Sequence, residues 1–271
     1  MNAAAKGRRA APGLVEWTSG RLGGPALICV PWAGAGAAPF RFWASACADD
    51  INLYGVRLPG RESRAAETPL SDMTRIVDQL ADDVAELSHP HVALFGHCSG
   101  ALVAYELAHR LGPLVVQLSV ASQLPPAAAA EAAGEELSSR DGLAARYLNR
   151  ELLDDRDIVE LLLPVLEADM RAVSGYRHRA GRLHEVPITV FRGSADTEIG
   201  PEQVTGWWEA TSGPLRVREM PGADHLFTGA AWRRLGDQVA EEVRRAARHH
   251  DGRPTEIHAS PGRGVLAEER G

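Results

Sequence analysis

The sequence predicts an α/β fold: a mainly parallel central sheet with helices on both faces and a helical lid inserted over one edge. Three observations carry this. Short apolar runs alternate with stretches of helical periodicity, the rhythm of strand–helix–strand units. The rhythm stops at about residue 122 and resumes at about residue 181. Finally, Val92-Ala93-Leu94-Phe95 passes through Gly96-His97-Cys98-Ser99-Gly100 into the helical stretch Ala101–Ala108, a tight strand-to-helix turn with a glycine on either side of its apex.

Taken in order, Pro25–Pro31 is an apolar run closed by proline, the signal of a first buried strand. Trp32 to Ala38 is small and Gly-rich, either a connector or a loop whose amides bind an anion. Ile51–Val56 is a second strand, stopped by Leu58-Pro59-Gly60-Arg61. A helix from about Ser71 to Leu87 places Met73, Ile76, Val77, Leu80, Val84 and Leu87 on one face. After the Cys98 turn, Leu114–Val120 is a further strand. Within the insertion, helices are expected near Leu143–Leu153 and Ile158–Leu166, where they exclude water and shape a substrate chamber. Val186–Gly193 resumes the sheet, Leu215–Met220 alternates like an edge strand, and a helix from about Ala230 to Ala247 closes the domain.

Composition narrows the partners. The chain of 271 residues is 45% hydrophobic, ample for a core, and residues 25–248 read as one domain. Residues 1–24 read as an extension with a disordered start, because Lys6, Arg8 and Arg9 are followed by no apolar stretch of signal-peptide type. Residues 249–271 read as a disordered tail. A formal charge of −7 without a long Lys/Arg run argues against nucleic acid. No apolar run approaches the ~18 residues of a membrane span. The three cysteines, Cys29, Cys47 and Cys98, show no paired spacing, so neither a disulfide framework nor a zinc site is expected, and a reducing cytoplasm fits. The histidines and carboxylates have no metal-ligand spacing, and no phosphate-cradling glycine loop occurs.

At the apex of the turn, Cys98 is the candidate nucleophile. Ser99 in that role puts His97 and Ala101 at the crowded flanking positions, where a histidine does not fit. Asp196 follows a late strand and His225 follows the last one. The order Cys98, Asp196, His225 is that of the α/β-hydrolase fold, in which the three meet despite their separation. His225 takes the thiol proton, and Asp196 holds its tautomer and balances the imidazolium. The backbone N–H groups of Ala33 and Ser99 are the candidate oxyanion hole. Asp224 and Glu198 lie close in sequence, but Asp224 adjoins the base and points elsewhere. His97 is expected beneath the turn, away from its apex.

Several blocks together carry a resemblance. Pro31-Trp32-Ala33-Gly34-Ala35-Gly36 with Phe40 and Trp43, Leu58-Pro59-Gly60-Arg61 with Arg64, Phe95–Ala101, and Tyr105-Glu106-Leu107-Ala108 are four of them. Leu163-Pro164 with Ala168-Asp169 and Tyr176, Gly193 with Asp196, and Pro221-Gly222 with His225 complete the set. From Pro31 to about Phe227 the sequence resembles the stand-alone type II thioesterases of polyketide and nonribosomal peptide biosynthesis. The resemblance implies acyl hydrolysis from the phosphopantetheine arm of an acyl or peptidyl carrier protein, with no cofactor of the enzyme's own. The chain departs from the pattern at Cys98, where serine is usual. It departs also at Trp32 for histidine, Ala35 for glycine, Glu167 for arginine, and in a Gly222–His225 spacing one residue longer. A thioester on Cys98 stays activated, so acyl transfer to another carrier thiol or an amine stands beside hydrolysis. An inactive carrier-binding module and an esterase acting on free esters are further alternatives.

Overall fold

The computed structural model describes residues 7–132, 156–178 and 181–251. Its strands are β1 (Arg8–Ala11), β2 (Leu14–Thr18), β3 (Ala26–Val30), β4 (Asn52–Val56), β5 (Val92–His97), β6 (Val115–Ala121), β7 (Ile188–Gly193) and β8 (Leu215–Met220). They form one sheet in the order β1-β2-β4-β3-β5-β6-β7-β8. From β4 to β8 across the sheet every pairing is parallel, while β1 and β2 join antiparallel.

Parallel strands buried on both faces need apolar residues at every position, which is why they read as continuous apolar runs. Ala26 and Ile28 of β3 and Leu94 of β5 face one core with α2 (Met73–Ala85) and α3 (Ser99–Leu111). Leu27, Cys29, Ala93 and Phe95 face the other with α1 (Ala44–Cys47) and the long C-terminal helix. The helix α2 starts where Asp72 caps it, its carboxylate accepting the Arg75 amide at 2.9 Å, and it buries the expected face from Met73 to Val84. The insertion between β6 and β7 contributes α4 (Pro126–Ala132) and α5 (Arg156–Ser174). A short α6 (Pro201–Thr205) follows β7, and α7 (Ala230–Asp251) ends the described chain.

Three readings change. The sheet begins before residue 25: β1 and β2 form a hairpin that pairs with β4, so residues 8–18 belong to the sheet and Arg8 and Arg9 are strand residues. Strands this short carry little periodicity, yet Leu14 and Val15 are buried and the Gly13 amide is tied to Asp83 of α2 at 3.0 Å. The expected segment Ile158–Leu166 belongs to a longer helix, α5, which continues through Pro164. The last helix runs to Asp251, so His249 and His250 are helical. The expected tail beyond them and the helix near Leu143–Leu153 lie outside the described residues.

Candidate active site

The turn between β5 and α3 places Cys98 at φ 50° and ψ −126°, a strained backbone that tertiary contacts must hold. They do: the Cys98 amide donates to Ala121 of β6 at 2.9 Å, and its carbonyl accepts the Ala101 amide at 2.9 Å. Gly96 is required because a Cβ there would lie 2.4 Å from the Gly100 carbonyl oxygen. Gly100 has a different reason, since its Cβ would lie 2.3 Å from the Pro31 oxygen at the end of β3. The flanking glycines therefore answer to two constraints, one within the turn and one against the neighbouring strand.

The acid and base arrive on loops laced together. The Ser194 amide donates to Met220, and that of Ala195 to Ala223, at 3.0 and 2.9 Å. The Gly222 amide donates to Ser194 Oγ at 2.8 Å. Arg192 braces the acid loop by donating to the Ile199 carbonyl at 2.8 Å. Asp196, with its side chain fully buried, then meets His225 Nδ1 with both oxygens at 3.1 Å. The amides of Glu198 and Ile199 also donate to Asp196 Oδ1, at 2.9 and 3.1 Å. Burial opposes ionisation of Asp196, but the bonds from His225 and those two amides outweigh it and bring its pKa down to about 2. For His225, burial disfavours the imidazolium, yet hydrogen bonds to Asp196 and Cys98 lift its pKa to about 10. The structure thus brings Cys98, His225 and Asp196 into one chain of interactions. Asp224 points away, capping Thr228 through the Thr228 amide at 2.8 Å and hydroxyl at 2.7 Å.

The raised pKa of His225 means that the ring holds its proton through neutral pH and releases it as pH rises through about 10. Asp196→Asn removes the anion that favours the imidazolium, so the pKa falls. Ring-nitrogen NMR of labelled histidine should place the His225 titration near pH 10 in the native protein and lower in Asp196→Asn.

His97 lies beneath the turn. It is fully buried, its Nε2 lies 2.8 Å from the His225 carbonyl, and its ring packs edge-on against Trp32 and Phe227 and at a tilt against Trp232. Burial pushes its pKa down to about 4, so the ring is neutral and its Nε2–H donates to that carbonyl. Sequence reasoning located His97 but not its role in holding the base loop.

Ala33 lies buried in the loop after β3, and Ser99 is the first residue of α3, directly after Cys98. Neighbouring loop amides are occupied: Gly34 donates to Asp169 Oδ2 at 2.7 Å and Ala35 to Trp32 at 3.1 Å. Asp169 and its partner Arg61 carry no reading of their own in the sequence beyond membership in family blocks. Their signal, a buried ion pair between residues 108 positions apart, is legible only after folding. Two cavities, of about 850 and 620 Å3, have linings that include none of Cys98, Asp196 and His225. Among the described residues no group of three or more His, Cys, Asp or Glu side chains is placed to hold a metal ion, and no helix is long and apolar enough to cross a membrane.

Residues 25–246 match the family model described as the thioesterase domain. Gramicidin S biosynthesis protein GrsT of Aneurinibacillus migulanus is 32% identical over 215 residues, covering 74% of this chain and 82% of that protein. Among solved structures, the type II thioesterase BorB of the borrelidin biosynthetic cluster superposes with a TM-score of 0.74 at 27% identity, over 88% of this chain and 99% of that one. The RedJ thioesterase of the prodiginine pathway in Streptomyces coelicolor gives 0.71 at 32% identity, over 80% and 85%.

Proposed function

The chain belongs to the thioesterase domain family and is an α/β-hydrolase thioesterase. From that premise we propose that it removes acyl groups from the phosphopantetheine thiol of carrier proteins in polyketide or nonribosomal peptide biosynthesis, through a covalent acyl-enzyme on Cys98. BorB is a type II thioesterase of the borrelidin biosynthetic cluster, RedJ a thioesterase of the prodiginine biosynthetic pathway and GrsT a gramicidin S biosynthesis protein, which supports the substrate class. The observation that carries the mechanism is the Cys98–His225–Asp196 chain at a strained strand-to-helix turn.

The Cys98 thiolate attacks the thioester carbonyl carbon, and the amides of Ala33 and Ser99 receive the developing oxyanion. Collapse breaks the carbon–sulfur bond to pantetheine, and the His225 imidazolium gives its proton to the leaving thiolate. Neutral His225 then takes a proton from water as that water attacks the acyl group, and the Cys98 thiolate leaves with the imidazolium restored. Asp196 stays ionised throughout and holds the ring.

The sulfur at position 98 favours a second reading. Its first step exchanges one thioester for another, which is close to thermoneutral, so the acyl group keeps enough activation to pass to a second carrier thiol or an amine. Intact-protein mass spectrometry of a carrier from the same biosynthetic cluster, loaded with acyl pantetheine, separates the two. Acyl mass on this chain followed by free acid is expected, and acyl mass on a second carrier establishes transfer. Faster turnover of simple nitrophenyl esters than of the acylated carrier overturns the carrier assignment.

A further inference from the structure

Arg61, in the turn after β4, and Asp169, on α5, form a buried ion pair of two bonds. Arg61 Nη1 donates to Asp169 Oδ2 at 2.9 Å and Nη2 to Oδ1 at 2.8 Å, with the two side chains 5% and 8% exposed. The pair does not close on itself. Oδ2 also accepts the Gly34 amide at 2.7 Å, and Arg61 Nη1 also donates to the Ala35 carbonyl at 2.9 Å. Both additional bonds end on the loop that carries Ala33. The same loop is gripped by packing: Leu166, three residues before Asp169 on α5, clusters with Ala33 and Met170. Gly34 itself sits at φ +79°, a left-handed conformation that fixes which way the neighbouring amides point.

A buried ion pair is a weak source of stability, because apolar side chains of similar volume do as well or better in its place. Its bonds to the loop give it another use. An oxyanion donor works only when it is already in place as charge develops, and a misplacement of about 1 Å costs about 10²-fold in rate. We infer that Asp169, oriented by Arg61, is a positioning residue that fixes the Trp32–Ala35 loop so that the Ala33 amide faces the acyl oxygen at Cys98. Since α5 belongs to the insertion between β6 and β7, the insertion builds part of the site's amide geometry. This rests on the proposed roles of Cys98 and Ala33.

Two rates on the full chain test it. The burst of nitrophenolate from an acyl p-nitrophenyl ester reports acylation of Cys98, in which an oxyanion forms. Alkylation of Cys98 by iodoacetamide forms none and reports only the sulfur and His225. In the apolar double variant Arg61→Met/Asp169→Leu, the burst rate should fall about 10²-fold while alkylation stays within about twofold of native. A burst rate within about threefold of native overturns the inference, as does alkylation falling in step with the burst. If the double variant does not fold, the same two rates in Asp169→Asn decide, because its amide nitrogen must face either Arg61 or the Gly34 amide. A native protein that shows the burst but leaves an acylated carrier untouched overturns the carrier assignment and not this inference.

Discussion

Cys98→Ala should lower thioester turnover by about 10⁴-fold or more, leaving only what binding and the loop amides supply. Every step of the proposed reaction passes through a bond to Cys98 sulfur, and Ser99, one residue on, is the first residue of α3 and not the apex of the turn. His225→Ala should cost nearly as much, and the double variant Cys98→Ala/His225→Ala no more than either alone, because nucleophile and base act as one unit. Progress curves on an acylated carrier, with product read by mass, check all three. Clearance by Cys98→Ala at the native rate refutes the nucleophile assignment. Cys98→Ser is the informative partner. An oxygen ester is less activated than a thioester, so transfer to a second carrier should fall more than release of free acid.

Gly100→Ala should be severely damaging for a single added methyl group, costing about 3 kcal/mol or more, or abolishing folding. The added Cβ would lie 2.3 Å from the Pro31 oxygen and 2.6 Å from the Val30 oxygen. Both are backbone atoms at the end of a central strand, so no side chain can swing aside to relieve the contact. Relief requires β3 and α3 to separate, and β3 is paired on both sides, with β4 and β5. Urea unfolding of the variant beside the native protein measures the loss, and an unchanged midpoint contradicts the close approach.

Much of the fold was legible because it is written locally. The strand segments Ala26–Val30 and Val92–Phe95 are continuous apolar runs and the apolar face of α2 repeats with the helical period, so neighbours in sequence suffice to find them. The turn at Cys98 was equally readable, since its glycines flank the apex within five residues. The hairpin of β1 and β2 was not. Its strands are four and five residues long and take their order from pairing with β4.

The candidate site divides along the same line. The sequence by itself determined the α/β class, the apex residue and the chain order of Cys98, Asp196 and His225, because each follows from residue type and place relative to a strand. Only the tertiary structure decided that Gly100 answers to β3 and that His97 holds the His225 backbone. It alone joined Asp169 to Arg61, 108 residues apart, across the loop of Ala33. Such contacts are made between segments brought together by packing, and a single bond between distant residues leaves no period in the chain from which to read it.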